Sequence, residues 1–168
     1  MIALKVGGTV LVFVAILLVL PVVIGLPGTI GCAVEHERKF MLIKISTDKT
    51  VSNAAADLQI AVTANHFGVM HVHNLKEIMA KKGVEFAHEC LIFEVCQPQQ
   101  AKKVLDQNMS VSVALPCRIS IYEEGGKTIL ATLKPTKFLA MFNTPQLEGV
   151  AQEVEDTIVK IMKDAASG

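Results

Sequence analysis

The sequence predicts an α+β domain, an antiparallel sheet with helices packed on it, that follows one transmembrane helix at the N-terminus. Two observations lead to this prediction. Along residues 35–168, short apolar runs rich in branched side chains alternate with stretches of helical periodicity. Before them, Gly7–Gly31 carries no charged residue over 25 positions. We therefore assign residues 1–34 to a membrane segment and residues 35–168 to a single soluble domain.

The segment Gly7–Gly31 is long enough to cross a bilayer, since a span needs about 20 apolar residues. A buried helix of a soluble protein would keep a polar face, and this segment has none. It is longer than the apolar region of a cleaved signal peptide and lacks an Ala-x-Ala-like exit, which favours a retained anchor. Thr29 to Cys32 resembles a lipoprotein processing box, so Cys32 is an alternative candidate for lipidation.

The charges around the segment point in two directions. Lys5 and the α-amino group precede it, whereas Arg38, Lys39, Lys44 and Lys49 follow it, which favours a cytoplasmic domain. A short N-terminus before a long apolar run is instead typical of a signal anchor that carries its domain outward. We predict a single-pass protein of the bacterial inner membrane with a periplasmic domain.

The first half of the domain predicts strand, helix, strand and short helix. Phe40–Ile45 is a short apolar run that indicates a strand. A helix follows Thr50 or Ser52 as its N-cap, because apolar residues recur at helical spacing: Val51, Ala55, Leu58 and Val62. Val69–His73 indicates the second strand, and Asn74 is suited to cap a short helix behind it.

The second half begins with a strand at Cys90–Cys96, which places Leu91, Phe93 and Val95 on one face. Pro98 is suited to the first turn of the next helix, and its buried side is predicted to carry Ala101, Val104 and Leu105.

A hairpin and a long helix complete the domain. Cys117–Glu123 and Thr128–Leu133 read as strands joined by a turn that contains Gly125 and Gly126. Thr144 and Pro145 are predicted to start a long amphipathic helix, with apolar residues on one side: Leu147, Val150, Val154, Ile158, Ile161 and Ala165.

Three segments carry a family resemblance: H-N-L-K-E-I-M-A-K-K-G-V-E-F, C-L-I-F-E-V-C-Q-P-Q-Q-A-K-K-V-L and L-P-C-R-I-S-I-Y-E-E-G-G-K-T. In order and spacing they resemble the bacterial domain-of-unknown-function family 302 over about Phe40 to Ala165. The resemblance implies a fold similar to the TATA-binding-protein-like class, of the β-α-β4-α type, and dimerisation. It implies no activity, because the fold likeness carries no site.

Composition excludes some classes of function. The formal net charge is zero, Trp is absent, and no basic run with interleaved aromatic residues suggests nucleic acid. The three domain cysteines, Cys90, Cys96 and Cys117, form an odd set without C-x-x-C spacing. They therefore predict neither a disulfide framework nor a standard zinc site.

Cys96 is the first candidate for chemistry. It ends a strand directly before a helix N-terminus, where amide groups and the helix dipole are expected to lower the pKa of a thiol. Cys117 starts the neighbouring strand and is a candidate partner for a redox disulfide or a soft metal. Its parity with Ile119 and Ile121 favours ordinary core packing instead.

His71 and His73 lie two positions apart on a predicted strand, so both project from one face and are candidate metal ligands. A facing cysteine would complete a mixed site, and haem held by one His or Cys is a further candidate cofactor. The same parity includes Phe67 and Val69, which favours a partly buried face. Glu94 is a candidate ligand or general base, or else the partner of Arg118 on a neighbouring strand.

Three functions stay open at this point. The first is a membrane-anchored binding or accessory protein, a module for a small ligand or a partner protein in a membrane-associated, redox-related system. The second is a haem or transition-metal protein that uses the His and Cys candidates. The third is a thiol redox enzyme that uses Cys96 and Cys117. We expect the protein to contact the membrane through residues 7–31 and to form a homodimer or join a membrane complex. We expect it not to bind nucleic acid.

Overall fold

The computed structural model describes residues 41–167, which belong to a compact unit that begins at Lys39. The strands are β1 (Leu42–Thr47), β2 (Gly68–Asn74), β3 (Cys90–Cys96), β4 (Cys117–Glu124) and β5 (Lys127–Leu133). The α-helices are α1 (Val51–Ala64), α2 (Leu75–Ala80), α3 (Pro98–Gln107), α4 (Pro135–Ala140) and α5 (Glu148–Ser167). Two 3-10 helices cover Met109–Ala114 and Pro145–Leu147. The predicted α+β class with an antiparallel sheet is confirmed.

The five strands form one sheet in the order β1-β5-β4-β3-β2, and every neighbouring pair is antiparallel. The first strand therefore pairs with the last, and Leu42 lies opposite Leu133. The Lys134 N–H donates to the Met41 carbonyl oxygen at 2.8 Å. As a result, the chain enters the described domain beside the end of β5.

One face of the sheet packs against α1 and α5 and forms the main core. Alternation along the strands directs Phe93, Ile119, Ile121 and Leu130 toward these helices. The predicted apolar face of β3 is confirmed, since Phe93 and Val95 are fully buried and Leu91 packs against them. The helices contribute buried residues at their predicted positions: Val51, Ala55, Leu58 and Val62 from α1, and Ile158, Ile161 and Ala165 from α5. Met162 of α5 is also buried, although it was not predicted.

The opposite face of the sheet, which we name the polar face, carries Lys44, Glu94, Arg118 and Tyr122. The Lys44 amine forms an ion pair with Glu124 at 3.0 Å and lies 5.7 Å from the centre of the Tyr122 ring. Arg118 is exposed and pairs with Glu94 across β3 and β4. The contrast between the two faces explains the alternation of apolar and polar residues in β3 and β4.

Side-chain caps fix where two helices begin. The Thr50 hydroxyl accepts from the Asn53 N–H at 3.2 Å, so Thr50 is the cap of α1. The Asn74 carboxamide oxygen accepts from the Glu77 N–H at 3.2 Å, which confirms the predicted cap of α2. Gly83, with φ of 75°, follows α2 in the left-handed region that favours glycine.

The hairpin between β4 and β5 turns at Gly125 and Gly126, as predicted. Both residues have positive φ, 61° and 77°, which a two-residue type I′ turn requires. The turn aligns Glu124 with Lys127 and sets the register of the two central strands.

A bulge in β2 changes which side chains share a face. The register shifts between Val69 and His71, so Val69 lies opposite Val95 on the core side while His71 lies opposite Glu94 on the polar face. Met70 is the extra residue and is 63% exposed. The expectation that Val69 shares a face with the two histidines is therefore wrong.

The last helix begins later than the sequence predicted. The 3-10 turn Pro145–Leu147 comes first and α5 starts at Glu148, while the Thr144 side chain makes no capping bond. Short 3-10 turns of this kind are frequent at helix ends. The 3-10 helix Met109–Ala114 and helix α4, each of six residues, were not predicted.

A second, smaller cluster of buried residues joins the ends of α3 and α5 to the first 3-10 helix. Its buried members are Val104, Val111 and Leu147, with Leu139 of α4 packed against them. The Thr136 N–H and hydroxyl both donate to the Glu155 carboxylate, and the hydroxyl distance is 2.5 Å. These contacts hold α4 on α5 and build the walls of the cavity described below.

The predicted membrane segment Gly7–Gly31 and the lipidation candidate Cys32 lie outside the described residues. Within residues 41–167, no helix has the length and apolar character needed to cross a membrane.

Candidate ligand-binding site

An apolar cavity of about 180 Å³ lies beside the end of β3 and the start of β4. Helices α3, α4 and α5 and the first 3-10 helix close it from the side. Much of the wall is aliphatic or aromatic: Val104, Leu115, Phe138, Leu139, Val150 and Val154. Roughly 150 Å³ is enough for an engineered protein cavity to bind benzene, so this cavity has room for a small apolar group.

Local structure explains why the space is left open. Pro98 starts α3 directly after β3, and the chain returns to β4 through the 3-10 helix and a cis peptide bond between Leu115 and Pro116. Two alanines line the cavity on this side, Ala101 of α3 and Ala114 of the first 3-10 helix. Because a methyl group fills little volume, these positions leave a gap between well-packed neighbours.

The polar residues of this largely apolar lining are Gln97, Gln100, Arg118 and Thr132, and Gln100 is the one with an unpaired atom. Its carboxamide oxygen Oε1 is buried and has no hydrogen-bond partner within the described residues. The hydroxyl of Thr132, another lining residue, already donates to the Arg118 carbonyl oxygen at 2.7 Å. A buried acceptor without a partner is uncommon and costs stability. Less than 1 Å² of this oxygen is accessible, so a molecule in the cavity does not reach it.

Cys96 and Cys117 both line this cavity. They lie on neighbouring strands, as the sequence predicted. Cys117 lies opposite Val95, the neighbour of Cys96, and packs against the main core as its parity predicted. Burial raises the pKa of Cys96. Burial, and then the charge of a Cys96 thiolate, raises the pKa of Cys117 to about 11. Both groups are therefore neutral thiols near pH 7.

The expected lowering of the Cys96 pKa by the helix N-terminus is wrong, because the first turn of α3 has few amide groups to offer. Pro98 has no N–H, and the Gln100 N–H donates to the Gln97 side-chain oxygen at 2.6 Å. The Ala101 N–H is taken by the Gln97 carbonyl oxygen. Burial, which disfavours the charged thiolate, therefore raises the pKa of Cys96.

His71, His73 and Glu94 meet on the polar face rather than at the cavity. The two imidazole rings lie edge to face, with 4.4 Å between their centres. His73 Nε2 lies 3.2 Å from Glu94 Oε1, and Arg118 Nε lies 3.4 Å from the same oxygen. The hydrogen bond with His73, with a smaller effect of Arg118, holds the pKa of Glu94 below its usual value. Glu94 is thus the partner of Arg118, as one interpretation of the sequence predicted.

A metal site formed by the histidines and a facing cysteine is not assembled. The residue opposite His71 is Glu94, and Cys96 pairs with Gly68 at the far end of the β2–β3 ladder. Ile92, the partner of His73, is four residues from Cys96, which corresponds to about 13 Å along a strand. Among residues 41–167, no group of three or more His, Cys, Asp or Glu side chains is placed to hold a metal ion.

Sequence reasoning missed Gln100, although a signal for it exists. Gln100 precedes the buried Val104 by four residues and follows Gln97 by three, so all three lie on one side of α3. A polar residue on the buried side of a short helix is a sign of a satisfied core contact or of a ligand contact. The structure is needed to show that no described side chain satisfies it.

Comparison with known protein families gives a match over this domain. The sequence profile described as "Domain of unknown function DUF302" matches residues 43–165. The resemblance inferred from the three sequence segments is therefore confirmed. No curated protein matches the chain.

A solved structure is similar over the same region, namely the crystal structure of an uncharacterized conserved DUF302 protein from Bacillus stearothermophilus. The two chains are 28% identical, with a TM-score of 0.71, and the match covers 74% of this chain and 98% of that chain. The other chain therefore consists almost entirely of the shared region.

Proposed function

This chain belongs to the DUF302 family, and we propose that its domain is a small-ligand-binding module of a membrane-associated system. The observation that carries the proposal is the largely apolar cavity, whose wall includes a few polar residues such as Gln97 and Thr132. Ligand sites combine apolar walls with a few placed polar groups, and this cavity has that composition. Its small volume suits an apolar group of about the size of benzene or a short chain.

Membrane attachment is the second part of the proposal. It rests on the uncharged segment Gly7–Gly31, which we propose as a retained single-pass anchor in the bacterial inner membrane with a periplasmic domain.

We further propose a homodimer, which the family resemblance suggested. The polar face carries Arg118 and Glu94 as well as Lys44 and Glu124, so two copies related by a two-fold axis can offer each other charges of both signs. Light scattering of the purified full chain measures its mass directly. A monomeric mass at micromolar concentration would remove the dimer from the proposal.

Thiol redox chemistry at Cys96 and Cys117 receives less support than ligand binding does. Cys96 and Cys117 lie close together, which favours it, but burial raises the pKa of both and so reduces the thiolate that reacts. Their positions also differ by one in the β3–β4 ladder, which directs their Cβ atoms to opposite sides of the sheet. Ligand binding therefore remains the function that the cavity supports best.

Filling the cavity tests the proposal. The substitution Ala114→Leu places a larger side chain in the wall, and Ala56→Leu, at an exposed position of α1, is the matched control. We expect toluene to shift the methyl NMR signals of Val104 in the full chain, held in lipid nanodiscs, and in the control. In Ala114→Leu the shifts should be lost. Equal toluene response in the two variants would contradict a ligand in this cavity.

A further inference from the structure

Exposed apolar side chains lie where the cavity opens. Val113 and Leu133 line the cavity and are also exposed, Val113 by 78%, so both stand at its mouth. Met109, on the same 3-10 helix as Val113, and Met141, at the end of α4, are each 69% exposed. We name these four residues the apolar rim. We infer that the apolar rim docks on an anionic lipid bilayer, from which the cavity takes its ligand. This inference rests on the proposed function and specifies its partner.

The members of the apolar rim belong to elements that pack together. Val111 of the first 3-10 helix shares the smaller buried cluster with Leu139 of α4 and with Phe142, the neighbour of Met141. Leu133 ends β5, which α4 follows after a single residue. The apolar rim is therefore one region of the surface. Grouped exposed apolar residues mark a site of interaction, whereas scattered ones are ordinary.

The charge of the same segments favours a lipid surface as the partner. Residues 109–115 and 133–142 carry the whole apolar rim and include two Lys but no Asp or Glu. Glu155 of α5 contacts this region, and its carboxylate already accepts two hydrogen bonds from Thr136. Apolar side chains beside basic residues are the combination that binds an anionic membrane surface, because both the acyl chains and the headgroups then contribute.

The proposed anchor keeps a bilayer within reach of the domain. Gly31 and Met41 are ten positions apart in the sequence, and an extended chain covers at most about 3.6 Å per residue. A domain on a tether of this length meets the bilayer at a high effective concentration, so a few apolar contacts are enough to orient it. A partner protein from solution has no such advantage. The bilayer is therefore the partner that best fits the apolar rim.

Docking of the apolar rim connects the cavity to the acyl chains. Apolar groups of peripheral proteins enter the membrane boundary by roughly 5–10 Å. An opening beside Val113 and Leu133 then lies at the level of the upper acyl chains. An uncharged apolar ligand passes between bilayer and cavity without entering water, which is the unfavourable step for such a molecule. The ligand is therefore one that is dissolved in the membrane.

Fluorescence quenching tests which face docks, because the chain has no Trp and one introduced Trp reports alone. The test variant is Val113→Trp, and the matched control is Ile60→Trp, at a 69% exposed position of α1. The full chain of each is reconstituted into vesicles of equal parts phosphatidylcholine and phosphatidylglycerol, with or without bromine on the acyl chains. Bromine quenches an indole only at short range, so emission is lost only where the side chain enters the bilayer.

We expect brominated lipid to remove most of the emission of Val113→Trp and to leave that of Ile60→Trp unchanged. Bromine on the upper part of the acyl chains should quench more than bromine near their ends, because the apolar rim enters only the boundary. Removal of phosphatidylglycerol should weaken the quenching, because the basic residues then lose their anionic partner. If Val113→Trp does not fold, Met141→Trp takes its place.

Several results would overturn the inference without touching the proposed function. Unquenched Val113→Trp, or equal quenching of Val113→Trp and Ile60→Trp, would show that the apolar rim does not dock. Emission shifted to shorter wavelength without quenching would show that protein, such as a second copy of this chain, covers it. Quenching that is unchanged without phosphatidylglycerol would contradict an anionic surface. The proposed function fails separately: a chain that does not float with vesicles has no anchor, and a Val104 signal that toluene does not shift reports no ligand.

Discussion

Cys96 and Cys117 line one cavity, and the charge that Cys96 would carry as a thiolate adds to burial in raising the pKa of Cys117 to about 11. At pH 8 a thiol with this pKa is ionised about a hundredfold less than one with the usual value of 9.0. We predict that iodoacetamide modifies Cys117 about a hundredfold more slowly in the folded protein than in urea. Peptide mass spectrometry at several times measures both rates for the same peptide. Similar rates would show that Cys117 is accessible and ionised.

The same raised pKa predicts alkaline destabilisation. The folded protein keeps the Cys117 proton up to about pH 11, whereas the unfolded chain loses it near pH 9, so stability falls as the pH rises through this window. Cys117 should account for a loss of about 2 kcal/mol between pH 8 and pH 10.5. Denaturant unfolding of wild type and Cys117→Ala at both pH values measures it. A difference between the two proteins that stays constant with pH would contradict the prediction.

The long elements were predictable because their signals are local. The buried residues of α1 and α5 repeat at helical spacing, and β3 alternates between Phe93 and Val95 inside and Glu94 outside. Gly125 and Gly126 mark the hairpin by their own conformational freedom. The short helix α4 escaped prediction because it owes its place to the contact between Thr136 and Glu155, residues distant in sequence.

The candidate site was only partly predictable, since it depends on how elements meet. Adjacent strand ends place Cys96 and Cys117 at one cavity but direct their side chains to opposite sides of the sheet. The extra residue Met70 moves the histidines to the opposite face from Val69. Whether the pKa of Cys96 is raised or lowered depends on burial and on the capping contact of Gln97, which no local sequence pattern reveals.

Acid pH should weaken the contact between His73, Glu94 and Arg118. The pKa of Glu94 is lowered in the folded protein, first by the hydrogen bond with His73. The stabilisation is therefore present above the ordinary value of 4.5 and is lost as the pH falls through the folded pKa. We expect wild type to be more stable than Glu94→Gln at pH 6 and this advantage to shrink toward pH 3.5. Chemical unfolding at each pH measures it.

A control for general acid effects is Glu85→Gln, at an exposed position after α2. This variant should follow the wild-type pH profile. If Glu94→Gln also follows that profile throughout, the ion pairs of the polar face do not contribute to stability in solution.

Loss of the α1 cap should be measurable. The sequence left Thr50 and Ser52 as alternatives, and the hydrogen bond from the Asn53 N–H selects Thr50. We expect Thr50→Ala to lower the free energy of unfolding by about 1 kcal/mol. The matched control Ser52→Ala, an exposed position in the first turn of the helix, should change it by less than about 0.5 kcal/mol. Equal losses would place the cap elsewhere.

The proposed retained anchor predicts how the full chain fractionates. Because an apolar segment of 25 residues holds a protein in the bilayer against alkaline washing, the intact chain should stay with membranes in carbonate. Removal of residues 1–34 should release it, and the mass of the isolated protein should include the N-terminal segment. Cys32→Ser separates the two forms of attachment: a transmembrane anchor leaves this variant in the membrane fraction with an unchanged N-terminus. Release of Cys32→Ser, or loss of an attached lipid from it, would establish lipidation at Cys32 in place of a retained span.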